Sequence, residues 1–222
     1  MRSFDEIFAI AAERKGGADT LNAMLEPPLG APDLARIPDD RWLAQSTKCI
    51  FNAGFNWKVV EAMWPGFEDA FHGFDLGQCA MLNDEDIARL ASDTRIVRHG
   101  GKIRSVQENA VFFGELAKEH GSVGKFIAGW PDTDYAGLLA LLKKRGSRLG
   151  GNTGQYFLRF MGKDSYVLSR DVTARLIAEG VIDKEPSSKS AMAAVQNAFN
   201  TWHEQSGRSM KEISRTLAMS IG

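Results

Sequence analysis

Apolar residues along this chain recur at steps of three and four. Between Ile103 and Ala117, the residues Ile103, Val106, Ala110, Phe113 and Ala117 fall on one face of a helix, with polar residues between them. Leu138 to Leu142 is dense in strong helix formers, and Ala191 to Trp202 repeats the amphipathic spacing. Asn83-Asp84-Glu85-Asp86 places a capping residue and acidic side chains ahead of Ile87, Leu90 and Ala91, the order expected where a helix begins. No alternating apolar and polar run of five or more residues reads as a strand. The pattern predicts an all-α fold.

The strongest interruption is Pro27-Pro28-Leu29-Gly30-Ala31-Pro32. It divides an N-terminal helical extension and Pro-rich linker (1–38) from a body over 39–222, whose last part, from about Ser187, reads as two further helices. No repeat of fixed period is visible.

Composition narrows the function little. The chain has 222 residues, 44% hydrophobic, enough for a sizeable core. No apolar run approaches the roughly 18 residues of a membrane span, and the acidic start Ser3-Phe4-Asp5-Glu6 lacks an export signal, which points to the cytoplasm. A formal net charge of −1 means that nucleic-acid binding would need a local basic patch. Cys49 and Cys79 stand in unrelated settings, not at metal-ligand spacing, so reduced thiols and neither metal nor cofactor are expected.

One basic patch sits in a suggestive place. Lys143-Lys144-Arg145 ends a helical run, the chain turns through Gly146 and Gly150-Gly151-Asn152-Thr153-Gly154, and a second helix follows. Such a hairpin can bring backbone N–H groups at a helix N-terminus close to an anion. It can equally be a plain connection between two core helices. Asp171 then opens a helix on which Val172, Leu176 and Ile177 can face a core, a position that also suits a simple cap.

Several blocks carry a specific resemblance: Ala53-Gly54-Phe55-Asn56-Trp57, Phe71-His72-Gly73-Phe74-Asp75, Ile96-Val97-Arg98-His99-Gly100-Gly101-Lys102-Ile103 with Asn109-Ala110 behind it, and Leu142-Lys143-Lys144-Arg145-Gly146. In this order they resemble the 3-methyladenine DNA glycosylase I family of the helix-hairpin-helix superfamily. The resemblance implies two helical lobes with a DNA and base cleft between them. It also implies a monomeric enzyme of base excision repair, hydrolysing the N-glycosidic bond of alkylated purines in double-stranded DNA that contains damaged bases. The hairpin residues Lys143, Lys144, Arg145, Gly150, Gly151, Asn152, Thr153 and Gly154 would hold the DNA backbone. Trp57, with Cys49, Phe51 and Asn52, would line the base pocket, and Gly54 and Phe55 would fill the gap left in the duplex.

The departures from that family are informative. Its base-recognising glutamate falls at Cys49, and its zinc-binding cysteine and histidine set has no counterpart, so no metal is expected. Asp171 stands where the wider superfamily carries a catalytic aspartate, a little over twenty residues past the hairpin. The lysine nucleophile of bifunctional members is absent between Gly146 and Gly162, where Gln155 takes its place; Lys163 lies in the next loop, and water would be the nucleophile. Arg98, His99 and Lys102 read as fixing a helix start or touching phosphate. Two rival readings use the same residues: a catalytically degenerate lesion-binding protein on this scaffold, and a helical module whose hairpin contacts protein.

Overall fold

A computed structural model describes residues 1–221. Among them the α-helices are, in order, α1 (Phe4–Lys15), α2 (Ala18–Ala23), α3 (Ala31–Arg36), α4 (Asp39–Asn52), α5 (Trp57–Ala62), α6 (Trp64–Ala70), α7 (Leu76–Ala80), α8 (Asp84–Leu90), α9 (Gly100–His120), α10 (Val123–Gly129), α11 (Tyr135–Arg145), α12 (Gly151–Phe160), α13 (Arg170–Ala178), α14 (Lys189–Ser206) and α15 (Met210–Met219). No strand occurs among the described residues, as the periodicity predicts. The chain forms two compact units. The larger comprises Gly30–Trp130 and Leu139–Met161; the smaller comprises Met1–Leu29, Pro131–Leu138 and the chain from Gly162 onward. This division falls at Leu29 and Gly30, whereas the sequence pattern predicts a boundary between residues 38 and 39.

In the larger unit the expected face of α9 is buried through Ile103, Val106, Ala110 and Phe113; beyond that Leu116 is buried and Ala117 only half-buried. Phe113 stacks on Phe157 of α12 at 6.0 Å, and Phe157 meets the edge of Trp42 in α4 at 5.9 Å. These three rings join α4, α9 and α12 around one core. A second group runs from Phe51, edge-on to Phe67 at 4.7 Å, through Phe71 and Phe74. The Pro-rich segment is not only a linker. Pro32 lies in the first turn of α3, where its missing N–H has no intrahelical partner to lose, and Leu34 is buried.

In the smaller unit Tyr135, Tyr166, Phe199 and Trp202 form a continuous run of ring contacts between 4.4 and 5.7 Å. The N-terminal helix is tied to α14: Trp202 donates to the Arg2 carbonyl at 3.1 Å, and the Phe4 amide donates to Gln205. Glu179 is the polar centre of this unit. Its carboxylate accepts from the Arg2 amide at 2.8 Å, from the Arg2 side chain at 2.7 Å and from Arg175 at 3.2 Å. Arg175 also donates to the Ser220 hydroxyl and carbonyl. Burial alone would raise the Glu179 carboxyl, but the bonds from Arg2 and Arg175 outweigh it and hold the group below its ordinary value.

A carboxyl depressed in the folded state adds stability above its unfolded pKa and loses it as pH falls through the folded value. Glu179→Gln removes that term and leaves Arg175 underpaired, at a cost on the order of 3 kcal/mol near neutral pH. Urea midpoints should therefore differ clearly at pH 7 and converge below about pH 4. Equal midpoints at pH 7 would show that the network contributes nothing net.

Candidate nucleic-acid interface

The hairpin predicted from the basic patch is present in the larger unit. Its turn, Gly146–Gly150, has no regular secondary structure to satisfy its backbone, so the bonds come from elsewhere. Asn109, fully buried in α9, meets Ser147 from both sides of its amide. The Ser147 N–H donates to Asn109 Oδ1 at 2.8 Å, and Asn109 Nδ2 donates to the Ser147 carbonyl at 3.0 Å. Arg148 takes a left-handed conformation, φ +59°. Where α12 begins, a Cβ on Gly154 would lie 2.3 Å from the Leu149 carbonyl oxygen, so the helix can approach the turn this closely only with glycine there.

No side chain caps the N-terminus of α12, and Gly151 and Asn152 are exposed. Its first-turn amides are thus left for solvent or an anion. Lys143 and Lys144 are exposed and form no ion pair among the described residues. Arg145, grouped with them on sequence, is different: it pairs with Glu115 at 2.8 Å and lies over the Phe112 ring at 4.9 Å.

The second expected element also lies in this unit. After α4 the backbone from Ala53 to Val59 is exposed. Gly54, at φ +69°, makes a bend that a Cβ would strain. Phe55 is 45% exposed, and Trp57, at the start of α5, is 48% exposed. Trp57 meets Tyr156 edge-on at 6.0 Å and Phe160 at 5.9 Å, while those two rings stack on each other at 5.7 Å. Tyr156 and Phe160 were not anticipated from sequence. Their spacing of four on one face of α12 is the signal that points to them.

The other expected pocket residues divide. Phe51 is fully buried beneath this surface against Phe67. Asn52 is buried, and its Oδ1 has no hydrogen-bond partner. Cys49 is buried too; burial pushes its thiol up to about 11, so it is neutral at physiological pH. Gln45 donates to its sulfur at 3.5 Å.

Asp171 belongs to the smaller unit. Its side chain is exposed and makes no hydrogen bond or ion pair among the described residues. The cap of α13 is Ser169, whose hydroxyl accepts from the Val172 amide at 3.3 Å, so Asp171 sits in the first helical turn and is not the cap. Val172 and Leu176 are buried as expected, but Ile177 is exposed. Lys163 is buried and paired with Asp132 at 2.6 Å.

The donor set does not fit a structural zinc. No three His, Cys, Asp or Glu side chains gather among the described residues. The Cys79 thiol donates to the Phe71 carbonyl, and burial raises it to about 12, away from the thiolate a metal needs.

Residues 47–137 match the family model for methyladenine glycosylase. That stretch holds Cys49, the exposed turn, Trp57 and α9, whereas the hairpin turn and Asp171 lie beyond it. The chain is 29% identical over 120 residues to DNA-3-methyladenine glycosylase 1 of Escherichia coli K12, covering 46% of this chain and 64% of that relative. It thus spans just under two thirds of the curated relative it matches. The structure of 3-methyladenine DNA glycosylase I from Staphylococcus aureus superposes with a TM-score of 0.51 at 22% identity, over 62% of this chain and 80% of the other. That likeness is one of fold: the chain shares the all-helical architecture of that structure.

The Asn109 contact gives a test of the hairpin by itself. Asn109→Ala leaves a buried amide and carbonyl of Ser147 unpaired and should cost about 2–3 kcal/mol. Hydrogen exchange at the Ser147 amide should accelerate with it. An unchanged denaturation midpoint together with unchanged exchange at Ser147 would remove Asn109 as the latch.

Proposed function

We propose that this chain, whose residues 47–137 match the family model for methyladenine glycosylase, is a monofunctional DNA glycosylase that removes alkylated purines from duplex DNA. One observation carries the reading: a single compact unit presents an uncapped helix N-terminus beside free lysines, and also an exposed tryptophan backed by two more aromatic rings. The first is a phosphate grip. The second is a platform on which an extruded base can stack.

The chemistry follows from the leaving group. Cleaving the bond to C1′ leaves an oxocarbenium-like sugar, and a purine alkylated at N3 already carries positive charge, so it departs with little acid help. Stacking on Trp57 favours that cation by about 0.5–2 kcal/mol. Cys49 supplies no charge in this pocket. The buried, unpartnered acceptor on Asn52 lies in the last turn of α4, next to the turn that leads to Trp57. Phe55, carried on the bend at Gly54, is the side chain to fill the vacated stack. Asp171, exposed in the first turn of α13, is the carboxylate to which the superfamily resemblance gives the role of stabilising the sugar or orienting water. With Lys163 engaged by Asp132 and no lysine in α12, water is the nucleophile and an intact abasic site the product.

A second reading is favoured by a specific observation: Cys49 is a neutral thiol, and no neighbouring group holds Asp171 in place. On that reading the chain binds lesions without excising them.

An excision assay across duplexes bearing single damaged bases separates the two. Release of an N3-alkylated purine, with the strand unbroken until alkali is added, is the expected result. Tight binding with no release from any substrate would establish the second reading. Where release occurs, Asp171→Asn should slow it by roughly 10²–10⁴-fold with little change in stability; an equal rate would exclude Asp171 from the chemistry.

The lysines are tested by salt. Replacing Lys143 and Lys144 together should reduce the log–log salt dependence of DNA affinity by about two. Arg145→Ala should change it by less, because Glu115 already neutralises that side chain. A salt dependence indifferent to both lysines would take the hairpin out of the interface.

A further inference from the structure

The hairpin turn and the exposed turn before Trp57 are remote in sequence, yet both are bonded to the first turn of α9. From the hairpin side, Arg148 Nε donates to the Gly101 carbonyl at 3.1 Å. One residue on, Lys102 reaches the other way: its ammonium donates to the Phe51 carbonyl at 3.2 Å and to the Ala53 carbonyl at 2.8 Å. These two carbonyls belong to the end of α4, where the last C=O groups have no partner within the helix. They also bracket Asn52, the residue whose side-chain oxygen is left open. The start of α9 is itself held, since His99 Nδ1 accepts from the Lys102 amide at 3.2 Å.

A lysine in this arrangement is not free to neutralise phosphate. Two of its three donors point at main-chain oxygens, its ammonium lies over the Phe51 ring at 5.8 Å, and burial with the nearby Arg148 lowers its pKa from the ordinary value. Its distances are instead those of a charge-assisted helix C-cap.

We propose that Lys102 is a positioning residue: by capping α4 it sets the geometry of the 53–57 turn, and the first turn of α9 links that geometry to the hairpin. The assignment rests on the proposed function for its consequence in excision but not for its geometry. In the DNA-bound protein, a hairpin seated on phosphate would then present Asn52, Phe55 and Trp57 at a defined place instead of on a floating loop.

Lys102→Met keeps the stem and removes the donors; Lys102→Arg restores donors. In the DNA-free protein, amide exchange is read at Ala53 and Phe55, which donate to the Cys49 and Asn52 carbonyls. With Met the two amides should exchange roughly tenfold faster or more, and with Arg most of the protection should return. Exchange within 147–154 should stay unchanged. Should the Met variant fail to fold, Lys102→Gln is read in the same way.

On a duplex carrying an abasic-site analogue, the salt dependence of affinity should be the same for wild type and Met. Single-turnover excision should fall while the substrate concentration for half-saturation moves little. Unaltered exchange at Ala53 and Phe55 would overturn the proposal. So would a salt slope reduced by about one with the exchange intact, which identifies a phosphate contact. If the wild-type protein excises nothing, the proposed function fails, and the exchange comparison still decides the role of Lys102.

Discussion

The candidate DNA-binding surface of the larger unit is made of backbone that cannot satisfy itself. The hairpin turn and the turn after α4 both leave regular helix, and their polar groups need partners that do not move. One helix, α9, supplies them. Asn109 closes on both sides of Ser147, the Gly101 carbonyl holds Arg148, and Lys102 takes the last carbonyls of α4. Asn109 and Phe113 lie one turn apart on one face of this helix, and Phe113 anchors that face to the aromatic core by stacking on Phe157. Remove that seat and the two turns become independent loops.

On the proposed function, this arrangement accounts for how a chain of net charge −1 would hold phosphate. The proposed grip would rely on few charges: two exposed lysines, and main-chain amides at a helix start that need no charge. Arg145 is consumed by Glu115 and Phe112 and acts as a support for α11. The stacking side is just as economical. Tyr156 and Phe160 pack against Trp57 and leave it 48% exposed, so about half of a large apolar ring stays in water. Such exposed aromatic surface is common at binding sites.

Much of the fold was legible because short-range physics determined it. The period of α9 identified its buried face, the Asn83 cap identified α8, and the glycines around residue 150 identified the hairpin. Other features depend on partners that sequence order does not name. Nothing near Phe4 says that α1 is fastened to α14, and nothing near Arg145 says that Glu115, thirty residues earlier, takes its charge. Asp171 read as the first polar residue of a helix, but Ser169 two positions earlier makes the cap, because a hydroxyl there already reaches the Val172 amide. The family resemblance located Trp57. Only the packing of α12 revealed the two rings beside it.

The central claim is that one unit engages DNA through the start of α12 and the turn leading to Trp57 together. Nuclear magnetic resonance titration with a duplex containing a non-hydrolysable abasic-site analogue tests this directly. The account predicts that the amides of Gly150 to Gly154, those of Gly54 and Phe55, and the Trp57 indole N–H shift along one binding curve. Saturable binding that leaves both groups of signals in place, with the shifts confined to other parts of the chain, would contradict it.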